Sequence, residues 1–185
     1  MKLAALVVVC LAPAAYADGG GARFDFGLMR SQVAVTDQTA ITGSVARFGV
    51  GFGLARHVHA GAEVEEGWMT GNALPLGGGV ARTGELPAGP LSGNTLDMKL
   101  VAGLHTDMGA FRISGDVAGG LRDTSVSTDQ GMDIAGRKKE PLLELRTRVD
   151  MFVTRAWTVG LVAGADTLEQ RDVSVGAVVS LQLDR

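Results

Sequence analysis

The chain has 185 residues, with 17 basic side chains against 20 acidic ones and a formal net charge of −3. This near balance, without a basic face, argues against nucleic-acid binding. No segment after the N-terminus reaches the roughly 20 apolar residues of a spanning helix, so a membrane role would depend on strands. The length fits one domain.

The first 17 residues are predicted to be an export signal. Lys2 supplies a positive start, residues 3–14 are apolar, and Ala15-Tyr16-Ala17 has the small-residue pattern of a cleavage site. We therefore expect residues 1–17 to be a signal peptide and residues 18–185 to form the folded domain. Because Cys10 is the only cysteine, that domain would contain no disulfide.

The remaining sequence alternates between apolar and polar residues, which predicts strands. In residues 43–69, Phe48, Val50, Phe52 and Leu54 share one parity, while glycine or charge occupies the other. The pattern breaks at Arg56-His57 and restarts, which predicts a hairpin. Such runs suit tilted membrane strands of about 9–11 residues better than soluble strands of about 5–6. Eight strands are predicted in this way: 23–35, 43–55, 58–69, 96–106, 110–122, 142–154, 157–166 and 172–183.

The predicted connections alternate in length. Short turns lie at residues 56–57, 107–109 and 155–156, and longer polar segments join the other strand pairs. The two longest are residues 70–95 and 123–141. Short turns at one end and long loops at the other are typical of outer-membrane barrels. The second loop contains Arg137, Lys138 and Lys139, a candidate contact for anionic lipopolysaccharide, with a solvated charge cluster as the alternative.

Most strand glycines share a parity with the charged residues. Glycine weakens a solvent-exposed strand, but in a narrow eight-stranded barrel it leaves room for long side chains. Acids and bases on this parity are similar in number, as an interior ion-pair network requires, and a solvated polar face is the alternative. The predicted network comprises Arg23, Asp25, Arg47, Glu63, Glu65, Asp97, Lys99, Arg112, Asp116, Arg122, Glu144, Arg146, Arg148, Asp150 and Asp166.

The hairpin that starts Phe48-Gly-Val-Gly-Phe-Gly-Leu and continues through residues 60–64 resembles the small eight-stranded outer-membrane β-barrel proteins of Gram-negative bacteria, the OmpA/OmpX/opacity-like group. The resemblance covers nearly the whole chain after residue 17. It implies an all-β, antiparallel, up-and-down transmembrane barrel that is a monomer in the outer membrane. The implied partners are outer-membrane lipid, lipopolysaccharide and the barrel assembly machinery.

The sequence departs from that group in two respects. Such proteins usually end in Phe or Trp, which helps the assembly machinery, whereas this chain ends at Arg185. Aromatic residues are also few, so the interfacial girdles would be thin. Their candidate members are Trp68 at the outer rim and Phe111 and Trp157 at the inner rim.

The histidines are the only candidates for a metal site, and none is assigned. His57, His59 and His105 lie in or beside short turns. A His-x-His pair on a strand places both rings on one face and, with Glu63, could hold a metal ion. Turn and interior polar residues are the favoured interpretation, and no cofactor is predicted.

Catalysis is not expected either. A barrel enzyme acting on lipid A would need a histidine base beside its nucleophile, and Ser92, Ser125 and Ser127 lie in outer loops without one. We therefore expect a non-enzymatic barrel with a charged, closed interior and a structural or surface-interaction role through its loops. A narrow porin-like channel and a soluble, periplasmic, lipocalin-like ligand-binding barrel are the alternatives, and a lipid A-modifying enzyme is the least favoured.

Overall fold

The computed structural model describes residues 21–36, 39–72, 74–75, 90–128, 133–168 and 173–183. Within these residues the chain forms eight long antiparallel strands, each paired with the next, and β1 also pairs with β8. The sheet therefore closes into a barrel, which confirms the predicted eight-stranded up-and-down architecture. The strands are β1 (Ala22–Thr36), β2 (Thr39–Ala55), β3 (Val58–Asn72), β4 (Pro90–Met108), β5 (Phe111–Thr128), β6 (Asp133–Phe152), β7 (Trp157–Asp166) and β8 (Val173–Leu183).

The predicted export signal lies outside the described residues. Among those that are described, no helix is long and apolar enough to cross a membrane.

Alternation along each strand separates two faces, as the sequence pattern predicts. On β4, Leu100 is 60% exposed whereas its neighbour Lys99 is only 4% exposed. On β7, exposed and buried residues alternate without interruption from Trp157 to Asp166. The face that carries the charged residues is therefore the buried one, and the apolar face points away from the barrel axis.

Two outward-facing residues are less exposed than the alternation along the strand predicts. Val50 and Phe52 are 6% and 9% exposed, and Phe24 and Ala22 of β1 pack against them. Phe26 and Phe48 meet beside them with ring centroids 5.2 Å apart. The β1–β2 register places these pairs side by side, so bulky neighbours on the outer wall shield one another.

Several predicted connections were too long. β1 and β2 are separated only by residues 37–38, and the predicted loop 123–141 is mostly strand, because β5 continues to Thr128 and β6 begins at Asp133. Residues 39–42 and 123–128 contain Thr, Ile or Val, which suit extended backbone. Residues 133–141 lack Thr and Val and are extended through their pairing with β5. Polarity alone was therefore a poor guide to where pairing stops.

The predicted loop 70–95 is also shorter at both ends. β3 continues to Asn72 and β4 begins at Pro90, with these two residues paired. The segment Leu74–Pro75 pairs with Thr39–Ala40 at the start of β2, and residues 76–89 lie outside the described ranges. At the other end, Gly109 has a φ of 65°, which allows the two-residue turn between β4 and β5.

We call the two ends of the barrel the short-turn end and the rim end. The short-turn end contains residues 56–57, 109–110 and 153–156 together with the start of β1 and the finish of β8. The rim end is the opposite one, where β1, β3, β5 and β7 finish and β2, β4, β6 and β8 start.

Candidate functional site

Ion pairs cross the middle of the barrel interior. Lys99 Nζ donates to Glu65 Oε2 and Glu144 Oε2, both at 2.7 Å, and lies 3.7 Å from Asp97 Oδ2. Asp97 in turn accepts two hydrogen bonds from Arg122, at 2.9 and 2.8 Å. One buried lysine therefore joins β3, its own strand β4 and β6.

A second group of pairs starts from the arginine two residues further along β6. Arg146 Nη1 donates to Glu63 Oε2 at 2.6 Å, and Nη2 donates to Oε1 at 3.2 Å. Arg47 on β2 donates to Glu65 Oε1 at 2.7 Å and lies 3.7 Å from Glu63. These carboxylates are thereby shared between cations, as buried charges require.

A third group lies nearer the short-turn end. Arg148 of β6 is 3.1 Å from Asp25 Oδ1 on β1 and 2.8 Å from Asp150 on its own strand. Asp25 also accepts a hydrogen bond from Arg23 at 3.0 Å and one from Ser180 at 2.5 Å. Arg148 donates to the Ser180 hydroxyl as well.

β6 is the strand on which these groups depend. Its residues 144, 146 and 148 all point inward and contact side chains on β4, β3 and β1 respectively. None of these three strands is a neighbour of β6 in the sheet. The interior is therefore braced across its width by side chains as well as along its wall by backbone hydrogen bonds.

Interior glycines provide the space for these side chains. A β-carbon at Gly164 would lie 2.8 Å from Arg146 Cγ and 3.0 Å from Glu144 Cδ, and one at Gly160 would lie 3.0 Å from Asp150 Cγ. The first of these three distances is shorter than real β-carbon contacts, and the two of 3.0 Å are tighter than nearly all of them. These two glycines therefore leave room for charged interior side chains, as the sequence pattern predicts.

Three members of the predicted network lie apart from these groups. Asp166 is buried at the rim end of β7 and accepts the backbone N–H of Leu168 at 2.9 Å. Arg112 lies at the short-turn end, where it forms two hydrogen bonds with Asp107 and stacks over the Phe152 ring, 5.3 Å from its centroid. Asp116 faces His59 and is described below.

Sequence reasoning missed an apolar layer in the interior. Ile41, Met69, Leu91 and Val126 are all 2% exposed or less and occupy the rim ends of β2, β3, β4 and β5. They continue the inward parity of the charged residues below them. The signal was present, because each has the parity of Arg47, Glu65, Lys99 or Arg122. Three of the four lie beyond the predicted strand ends, and the fourth, Met69, is the last residue of predicted strand 58–69 and was not recognised as interior.

The histidines form a cluster at the short-turn end. His59 Nδ1 lies 3.4 Å from His105 Nδ1, and His57 Nδ1 lies 3.1 Å from the His105 carbonyl oxygen. His59 Nε2 is 3.0 Å from Asp116 Oδ1. Glu63, which the disfavoured metal interpretation would have added to the histidines, instead accepts hydrogen bonds from Arg146. In the described part of the chain, no group of three or more His, Cys, Asp and Glu side chains is arranged to hold a metal ion.

The basic run belongs to a strand and not to a loop. Residues 137–139 lie within β6, where Lys139 is exposed and pairs in register with Asp123 of β5. The side chains of Arg137 and Lys138 lie outside the described part of the structure. Ser92, Ser125 and Ser127 are on β4 and β5 near the rim end, far along the strands from the three histidines.

No protein-family model matches this sequence, and no curated protein sequence matches it. Solved structures, in contrast, do match this chain. Neisserial surface protein A is 13% identical, with 89% of this chain and 97% of that chain covered and a TM-score of 0.59. Ail, the attachment invasion locus protein of Yersinia pestis, is 9% identical, with 89% and 99% covered and a TM-score of 0.55. The chain therefore has the fold of the small eight-stranded outer-membrane β-barrels.

Proposed function

We propose that this protein is an outer-membrane β-barrel with a structural or surface-interaction role and no catalytic activity. The observation that carries the proposal is the inverted distribution of side chains. Charged residues are buried inside, and large apolar residues such as Leu28 and Leu161 are exposed over the wall, 72% and 69% respectively. A soluble barrel with an apolar-ligand pocket would have the opposite arrangement, and so much exposed apolar surface is unfavourable in water.

The height of the apolar band supports membrane insertion. On β5 the outward residues from Phe111 to Leu121 include no charged side chain, and they span about ten residue steps of roughly 3.3 Å. At a strand tilt of about 40° this corresponds to about 25 Å, the usual height of the lipid-facing band in such barrels. Trp68 would then lie at one interface, and Phe111 and Trp157 at the other.

The filled interior supports a role other than transport. Buried ion pairs cross the barrel at the level of Lys99 and Arg148, and the layer formed by Ile41, Met69, Leu91 and Val126 lies beyond them toward the rim end. An eight-stranded barrel is only wide enough to be filled by side chains. Solutes would have to separate several charge-assisted bonds to pass, so we assign the function to the outer surface of the rim end.

Anionic lipid is the partner that best fits this rim. Arg30 and Lys139 are exposed, and each lies just beyond apolar outward residues of its strand, Leu28 and Leu143 respectively. Arg30 also donates a hydrogen bond to Thr42 at 3.0 Å, which holds its guanidinium at the wall. A cation at this height would meet the phosphates of lipopolysaccharide.

Three measurements test the proposed function. The protein should be recovered only with detergent from the outer-membrane fraction, and its gel mobility should change on boiling. Planar-bilayer recordings should lack a steady conductance. Recovery in the soluble fraction would eliminate the membrane role, and a steady conductance would favour the narrow channel.

The lipid contact has its own test. The double variant Arg30→Gln, Lys139→Gln should bind lipopolysaccharide more weakly than the unmodified barrel at low salt, and the difference should shrink as salt screens the charges. Arg56→Gln in the short turn is the control, because Arg56 lies at the opposite end. Equal binding by all three proteins would contradict the contact.

A further inference from the structure

Two imidazole rings face each other inside the short-turn end of the barrel. His59 is buried on β3 and His105 is half-buried on β4, with the two Nδ1 atoms 3.4 Å apart. They come from adjacent strands and both point inward, so their approach follows from the β3–β4 register, which pairs His59 with Gly103. The spacing of His57 and His59 in the sequence could not predict this contact, because it depends on the pairing of two strands.

The carboxylate of Asp116 determines how His59 presents its nitrogens. Asp116 Oδ1 lies 3.0 Å from His59 Nε2, within ion-pair distance although not at a hydrogen-bonding angle, and the nearby carboxylate favours Nε2 as the position for the proton of a neutral His59 ring. The lone pair is then on Nδ1 and points at His105. A carboxylate behind a histidine is the common outer-shell arrangement of metal-binding histidines, because it fixes the tautomer and ring orientation and raises the basicity of the ligand nitrogen.

The separation of the two nitrogens suits a tetrahedral ion. Zn–N bonds of about 2.0–2.1 Å place two ligand nitrogens about 3.3–3.4 Å apart in tetrahedral geometry. The two rings are hydrogen-bonded through these nitrogens at 3.4 Å. The same separation is that of two zinc ligands, so an ion would take the place of the shared proton. Imidazole nitrogen is also a preferred ligand for zinc among biological donors.

The surroundings of the pair are polar and closely fitted. Ser114 on β5 pairs in register with His105, and its buried hydroxyl has no hydrogen-bond partner among the described residues. Gly103 leaves the room in which His59 and Asp116 meet, because a β-carbon there would lie 2.8 Å from His59 Cε1 and overlap Asp116 Oδ1. His105 is half-buried and lies near the short-turn end.

We propose that His59 Nδ1 and His105 Nδ1 bind a zinc ion at the short-turn end, with Asp116 as the residue that positions His59. Water completes the coordination, since only these two protein ligands converge among the described residues. The inference does not depend on the proposed membrane role, because the pair belongs to the barrel interior.

The test uses the folded chain without an oligohistidine tag, in detergent, titrated with Zn²⁺ and followed by calorimetry. We expect one saturable equivalent. His59→Asn and His105→Asn should each weaken binding at least tenfold. His57→Asn is the matched control, because His57 lies in the adjacent turn, meets the His105 ring only edge-on, and directs its Nδ1 at the His105 backbone carbonyl and not at the paired nitrogens. Unchanged binding in the first two variants, or equal loss in all three, would overturn the proposal.

Ring-nitrogen NMR provides a readout that does not depend on substitutions. With ¹⁵N-labelled histidine, Zn²⁺ should shift the Nδ1 resonances of His59 and His105 and leave those of His57 in place. Asp116→Asn should retain the site but weaken it about 10–100-fold, as for other outer-shell partners. Retained gel mobility before boiling would show that each variant is folded. Shifts confined to His57, or none at all, would refute the site.

Discussion

Gly160 on β7 lies opposite Asp150 on β6, and the Asp150 carboxylate occupies the space that a β-carbon at Gly160 would need. Gly164 pairs with Arg146, and the Glu144 carboxylate likewise occupies the space that a β-carbon at Gly164 would need. Each of these carboxylates bonds a buried cation, Arg148 and Lys99 respectively. The glycines of β7 are therefore part of the charge network, although they carry no charge.

Replacing Gly160 with alanine should destabilise the barrel by about 1–3 kcal/mol, the usual cost of overpacking. The new methyl group would displace Asp150 from Arg148. Urea unfolding in detergent or lipid vesicles, followed by tryptophan fluorescence, measures the change. Gly115→Ala is the control, because a β-carbon there meets nothing within 4 Å. If both variants had the same unfolding midpoint, crowding would not explain why glycine occupies position 160.

Lys99→Met should cost about 3–5 kcal/mol in unfolding free energy, since it leaves Glu65 and Glu144 without the cation they share. The same urea titration applies. Arg155→Met, in the exposed bend between β6 and β7, removes a cation at the surface and should change stability by less than about 1 kcal/mol.

A second substitution separates lost charge pairing from lost packing. Adding Glu144→Gln to Lys99→Met removes one unpaired carboxylate and should recover part of the lost stability. If the double variant were less stable than Lys99→Met by the full cost of Glu144→Gln alone, the two residues would be energetically independent.

Leu100→Arg should destabilise the folded barrel in lipid by about 2–4 kcal/mol, because Leu100 lies in the middle of the outward apolar band of β4 and would place the charge near the bilayer centre. Met108→Arg, equally exposed but at the end of the same strand, should cost about 0–1 kcal/mol. Unfolding from vesicles checks both. Similar costs at the two positions would mean that β4 does not cross the bilayer.

Trp68 and Trp157 should report the two opposite interfaces. Trp68 lies near the rim end of β3 and Trp157 at the start of β7, and both are about half exposed on the outer wall. In vesicles of brominated lipid, the variants Trp157→Phe and Trp68→Phe each isolate one fluorophore. Both should be quenched most by shallow bromines, as expected for aromatic residues at headgroup level. Strongest quenching by deep bromines would contradict the band assignment.

The direction of each side chain could be predicted from sequence, because parity is a local property. Lys99 is buried and Leu100 is exposed because successive residues of a strand point to opposite faces. The partners of those side chains could not be predicted. That Lys99 joins Glu65 and Glu144 depends on the register of four strands and on how the sheet closes, neither of which is encoded within one strand.

The strand ends were the least predictable feature. Thr124 and Val126 continue β5 beyond the apolar band, and their outward neighbours are polar, so a pattern based on outward hydrophobicity loses them. The same error concealed the apolar layer that contains Val126 and Leu91. Pairing continues there because backbone hydrogen bonds and β-prone side chains do not require a lipid-facing surface.

The contacts of β6 with β1, β3 and β4 make the interior a test of correct assembly. Arg146 and Arg148 reach their carboxylates only if the intervening strands are all present and β1 has met β8. A sheet closed with a strand missing, or displaced along its neighbour by two residues, would keep its outer face and many backbone bonds but bury unmatched charges. Misassembled barrels would therefore be less stable than the native barrel, because their interiors would contain unpaired buried charges.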